Sequence, residues 1–71
     1  MPNLLEYHIG RLSDKNPEVR LKSINELRLL ADPAAMAPLE QVFRTDSDPQ
    51  VRKAAQEAGR EIFVKQKSKS S

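Results

Sequence analysis

The sequence predicts an all-α fold made of two helical hairpins packed side by side, and three observations lead there. The stretch Asp14-Lys15-Asn16-Pro17-Glu18-Val19-Arg20 returns as Asp46-Ser47-Asp48-Pro49-Gln50-Val51-Arg52, with each matched residue displaced by 32 positions. A recurrence of about 20 to 50 residues marks stacked supersecondary units, each of which hides its apolar side only against a neighbour. Both copies also set Asn or Asp directly before Pro, a helix cap followed by the residue best suited to the first helical position. After each junction, the apolar residues recur at helical spacing.

Composition narrows the class. A chain of 71 residues is one small domain, and at that size only about 60% of the unfolded surface can be buried. Charged residues make up 31% and hydrophobic ones 38%, so the core must be thin. A net charge of +2 is too balanced for strong phosphate binding, which needs clustered cations. Cysteine is absent, which removes disulfides and Cys-based metal or redox chemistry. No apolar run approaches the ~20 residues of a membrane span, and no basic-then-apolar leader opens the chain. These features predict a soluble, cytoplasmic protein without a membrane span.

The first helix is expected from Asn3, as cap, to about Leu12, with Glu6 completing a box-like arrangement. Leu4, Leu5, Ile9 and Leu12 should face inward, with His8 in the same stripe. Asn16 caps a second helix with Pro17 at its first position, running to about Ala31. Its inward residues are Val19, Ser23, Ile24, Leu27 and Leu30. Leu21, Asn25, Arg28 and Leu29 lie opposite; two leucines there are either ordinary surface residues or the flanks of a contact surface. Asp32-Pro33 repeats the cap device, and Pro38 predicts a single turn over Pro33 to Ala37 followed by a helix from Pro38 to about Arg44. Met36, Leu39, Val42 and Phe43 should face inward. Asp48 caps a fourth helix running to about Val64, with an alanine-rich stripe of Val51, Ala55, Ala58 and Ile62 and with Phe63 near its edge. Gly59 costs that helix about 1 kcal/mol relative to alanine. Residues 65–71, basic and serine-rich, read as a disordered tail.

With these junctions in place, the chain resembles HEAT-like repeats, in particular the short bacterial form found in phycobilisome lyases and related proteins. A unit of that form runs as Asp-Pro, Val-Pro-x-Leu, a short helix, Asp-x-(Asp/Asn)-Pro-x-Val-Arg and an alanine-rich helix. The second unit matches from Asp32-Pro33 through Ala37-Pro38-Leu39 and Asp46-x-Asp48-Pro49-x-Val51-Arg52 to Ala55 and Ala58. The first matches at Asp14, Asn16, Pro17, Val19, Arg20 and Leu27 but lacks the Pro-x-Leu opening. Gly59 stands where the pattern usually has leucine, and Ser23, Ile24 and Glu26 where small residues are common. The resemblance implies a short right-handed α-solenoid within residues 1–64, with repeat 1 at 3–31 and repeat 2 at 32–64. It further implies that Asp14, Arg20, Asp46 and Arg52 form a ladder tying adjacent repeats through charge-assisted hydrogen bonds; anion binding by the two arginines is the alternative.

Catalysis needs convergent groups, and the sequence offers one histidine and no cysteine. His8 could act as a base, but a lone histidine beside an apolar stripe is ordinarily a packed residue. Glu57 and Glu61 share a helix face, yet Lys53 precedes Glu57 at the same spacing, which makes a solvated charge stripe. Gly-rich phosphate loops and metal motifs are missing. The reading is therefore non-enzymatic, with no cofactor and no metal. Two units are fewer than the three or more a self-sufficient stack needs, so both ends should expose surface for another protein or for self-association. The expected function is a scaffold, adaptor or accessory subunit, with Leu21, Asn25, Arg28 and Leu29 as candidate partner-binding residues. An accessory role in phycobilisome bilin attachment or removal is the alternative carried by the resemblance. Nucleic-acid binding is disfavoured because Arg28, Lys53 and Arg60 interleave with Glu26, Glu57 and Glu61.

Overall fold

The computed structural model describes residues 3–70, with side chains through residue 68. In chain order it contains α1 (Leu4–Arg11), α2 (Pro17–Leu30), a 3-10 turn (Pro33–Ala35), α3 (Met36–Thr45) and α4 (Pro49–Ser70). The fold is all-α and consists of two helical hairpins. The starts of α1, α2, α4 and the 3-10 turn follow from a short polar side chain, whereas α3 continues from that turn with no side-chain cap. Asn3 Oδ1 accepts the Glu6 N–H at 2.7 Å, Asn16 Oδ1 that of Glu18 at 2.9 Å, Asp32 Oδ1 that of Ala34 at 2.8 Å, and Asp48 Oδ1 that of Gln50 at 2.7 Å. Each bond satisfies a donor that the first turn cannot pair internally.

The α2 helix ends as Ala31 turns left-handed at φ 53°, with its N–H still donating to the Leu27 carbonyl. That conformation is awkward for a residue with a Cβ, and it reverses the chain into the Asp32 cap. Pro38 does not restart the third helix, as its sequence position suggested. The helix begins at Met36, so Pro38 occupies its third position, where the backbone N–H has no intrahelical acceptor to lose.

The hairpins lie open. The α1 helix packs on α2, α2 on α4 and α4 on α3, and no other pair of these helices is closely packed. The molecule measures 39 × 31 × 15 Å, a slab rather than a closed bundle. Its core is Leu12, Ile24, Leu27, Ala35, Leu39, Val42, Val51, Ala55, Ala58 and Ile62, with Leu5, Ile9, Leu21, Met36 and Ala54 packed against it. Several inward expectations fail at the edges of the slab. Leu4 is 65% exposed, Leu30 and Phe43 are also exposed, and Val19 is half-buried, while Phe63, expected near the edge of its stripe, is exposed there. Periodicity named the apolar side correctly, but an end helix has a neighbour on one flank only. Leu21 departs the other way and packs on the core.

The expected tail is also different. The α4 helix continues through Lys65 to Ser70, because Lys65, Gln66 and Lys67 are good helix formers. Lys67 sits over the Phe63 ring at 5.5 Å, and Gln66 Nε2 donates to the Ala31 carbonyl at 3.4 Å. Ser71 lies outside the described residues.

Two stability predictions follow from this packing. Leu39→Ala removes a fully buried side chain and should cost about 2 to 5 kcal/mol, enough to leave a domain of this size largely unfolded in a thermal melt followed by far-UV circular dichroism. Gly59→Ala adds a Cβ that meets nothing within 4 Å. The melting temperature should rise by several degrees, as expected for a gain of about 1 kcal/mol.

Candidate protein interface

Four charged residues organise the junctions. Asp14 Oδ1 accepts the Asn16 N–H at 2.9 Å, and Asp46 Oδ1 accepts the Asp48 N–H at 2.9 Å, so each aspartate closes the turn that presents the next cap. Arg20 Nη1 donates to the Asp14 carbonyl at 2.7 Å and to the Lys15 carbonyl at 3.2 Å. Its Nη2 reaches Asp46 Oδ1 at 3.0 Å. Nε lies 2.8 Å from Asp46 Oδ2, an ion-pair distance, although its N–H does not point along a hydrogen-bond line. This pair joins the first hairpin to the second, and its side chains are only 12% and 8% exposed. Arg52 repeats the inner half, with Nη1 donating to the Asp46 carbonyl at 2.7 Å.

The expected contact residues divide. Leu21, Asn25 and Arg28 share a shallow groove with Ile24 and with Ala54, Glu57, Ala58 and Glu61 of α4, enclosing about 210 Å³. Leu29 does not line the groove and is 60% exposed. Arg28 spans it: Nη2 donates to Asn25 Oδ1 at 2.7 Å, and Nη1 stands 3.4 Å from Glu61 Oε1. The α4 wall was missed in the sequence because Glu57 and Glu61 look like a solvated stripe when α4 is read alone. Their role as rim carboxylates depends on which helix lies opposite.

A family model described as HEAT repeats matches residues 1–59. The chain belongs to the HEAT-repeat family. No curated protein and no solved structure matches it.

Other clefts of this HEAT-repeat chain are open and unspecialised. One of about 430 Å³ lies between α1 and α3, lined by Ile9, Leu12, Pro38, Val42 and Thr45 among others. His8 lies in a cleft with Tyr7, Arg11, Lys22, Ser23 and Glu26. Its Nδ1 has no hydrogen-bond partner, and its ring meets Tyr7 edge-on at 5.1 Å. Histidine and serine therefore share a cleft without forming the bonded pair that would activate a nucleophile. Among the described residues, no group of three or more His, Cys, Asp or Glu could hold a metal ion. No helix there is long and apolar enough to cross a membrane.

The two arginines should respond differently to truncation. Arg20→Met leaves the Asp46 carboxylate nearly buried without its partner and should cost on the order of 3 kcal/mol. Arg52→Met breaks one bond to a carbonyl and should cost about 1 kcal/mol or less, a difference that urea melts of the two variants will resolve.

Proposed function

We infer that the protein is an interaction module that receives a segment of a partner protein along the α2–α4 groove. HEAT repeats generally mediate protein–protein interaction, and the carrying observation is the groove itself. Three residues singled out from sequence on α2, namely Leu21, Asn25 and Arg28, stand opposite a wall of α4 whose floor is alanine. Ala54 and Ala58 keep that floor low, so an apolar side chain can settle between the helices beside Leu21. Glu57 and Glu61 stand above it against the single cation Arg28, itself engaged by Asn25 and Glu61.

The chemistry therefore favours a segment with one or two apolar anchors flanked by Lys or Arg. Hot-spot contacts of this kind combine a desolvated centre with a charged rim that sets orientation and rate. The same sign of charge opposes bilin propionates and phosphodiesters, both of which need cations at the rim.

Charge reversal tests this reading. Replacing Glu57 and Glu61 by Lys should abolish capture of a partner from an extract of the source cell, while thermal stability changes by no more than about 0.5 kcal/mol, since these are exposed charges. Leu29→Glu, outside the groove, should capture as well as the parent chain. If the double variant retains full capture, or if Leu29→Glu alone loses it, the groove is not the binding site.

A further inference from the structure

We propose that the two ends of the stack bind each other, so that a second copy of this chain docks head to tail with its Asp14 on Arg52. The inference rests on the interaction-module reading only in expecting uncovered repeat surface to take a protein. It uses the end faces and leaves the groove free.

The rung already exists once inside the chain. Arg20 holds its own junction through Nη1 and the Asp14 carbonyl at 2.7 Å, then donates Nη2 to the Asp46 carboxylate of the neighbouring hairpin, with Nε at ion-pair distance. Arg52 is set the same way, Nη1 on the Asp46 carbonyl at 2.7 Å, but among the described residues no acceptor meets its Nε or Nη2. At the opposite end, Asp14 Oδ1 holds the Asn16 N–H at 2.9 Å, as Asp46 Oδ1 holds that of Asp48, yet among the described residues no cation meets the Asp14 carboxylate. One end thus presents a pre-oriented donor edge and the other a pre-oriented acceptor. Fixing both groups before contact lowers the ordering cost of a charge-assisted pair.

The helix faces around these groups are complementary in size. The 32-residue register carries α2 onto α4. Inside the chain, the large Ile24 and Leu27 of α2 are buried at the seam with α4, where Ala54 and Ala58 keep the surface low. At the ends the order inverts. The register counterparts of Ile24 and Leu27 are Gln56 and Gly59, and those of Ala54 and Ala58 are the long Lys22 and Glu26. Beside Gly59, where a Cβ would meet nothing within 4 Å, Met36, Phe43 and Ala55 line a hollow of about 350 Å³ with Glu40 and Arg60 at its edge. The facing end offers Tyr7, exposed, together with Arg11, Lys22 and Glu26. Its cations match Glu40 and its carboxylate matches Arg60. Such a contact is heterologous and does not close on itself, so copies add in a row.

Sedimentation equilibrium of the whole chain from about 10 µM to about 1 mM tests the proposal. The weight-average mass should rise with concentration and fall back as added salt screens the rung. Arg52→Glu and Asp14→Lys should each weaken association by about tenfold or more, and an equimolar mixture of the two should restore it, because the reversed charges then face one another. Asp14→Asn retains the acceptor that closes the turn; it should melt like the parent chain and still associate less. A monomer at every concentration overturns the proposal, as does association unchanged in Arg52→Glu or a mixture that fails to recover. Partner capture through the groove is read on the same samples, so loss of one activity with retention of the other separates the two readings.

Discussion

The carboxylate of Asp46 is the point on which the arrangement of the two hairpins depends. Its Oδ1 accepts the Asp48 N–H and so shapes the turn that delivers the α4 cap, while the same group takes the guanidinium of Arg20 from the first hairpin. Local chain direction and the relation between hairpins are therefore fixed by one side chain. Removing two charges from water is costly, and most of the remaining hydrogen-bonding capacity of the pair has to be met elsewhere, with the Arg20 Nε N–H left unbonded. The Asp14 and Lys15 carbonyls and the Asp48 N–H do that here.

A polar clamp matters more in this chain than in a larger domain. The α4 face that meets the rest of the core is Val51, Ala55, Ala58 and Ile62, and two of those four are methyl groups that contribute little transfer energy. Alanine brings helices close but is indifferent to sliding, since neighbouring positions along the seam look alike. A directional ion pair beside the seam distinguishes one register from the next. Burial supplies most of the stabilisation, and the rung selects which packing is stabilised.

What could be read from the sequence was whatever is encoded locally. Caps at Asn3, Asn16, Asp32 and Asp48, the prolines that follow three of them, and the repeated junction all act within a few residues, and the structure places α1, α2, α4 and the 3-10 turn where they indicate, while α3 starts two residues before the expected Pro38. Burial was less legible because it depends on how many neighbours a helix has. Leu4, Leu30 and Phe43 have the right periodicity and still meet solvent. Leu21 lies opposite the inward stripe of α2, and it packs on the core because α4 lies on that flank of the helix as well. The groove was only half visible for the same reason: its α2 wall stood out as leucines among polar residues, while its α4 wall became a wall only by being opposite.

The groove and the rung are mechanically linked. The separation of α2 and α4 sets the groove's width, and those helices are held by a thin alanine-rich seam, by Arg20 on Asp46 at one end and by Gln66 on the Ala31 carbonyl at the other. Arg28 and Glu61 cross the middle, but at 35% and 47% exposure they form a solvated pair that can open at little cost. On the proposed reading, a segment entering the groove would displace the weak central bridge while the stronger end contacts keep the walls at their spacing. Rigid walls with a yielding crossbar suit a binding surface that must already be open when its partner arrives, because little ordering remains to be done on contact.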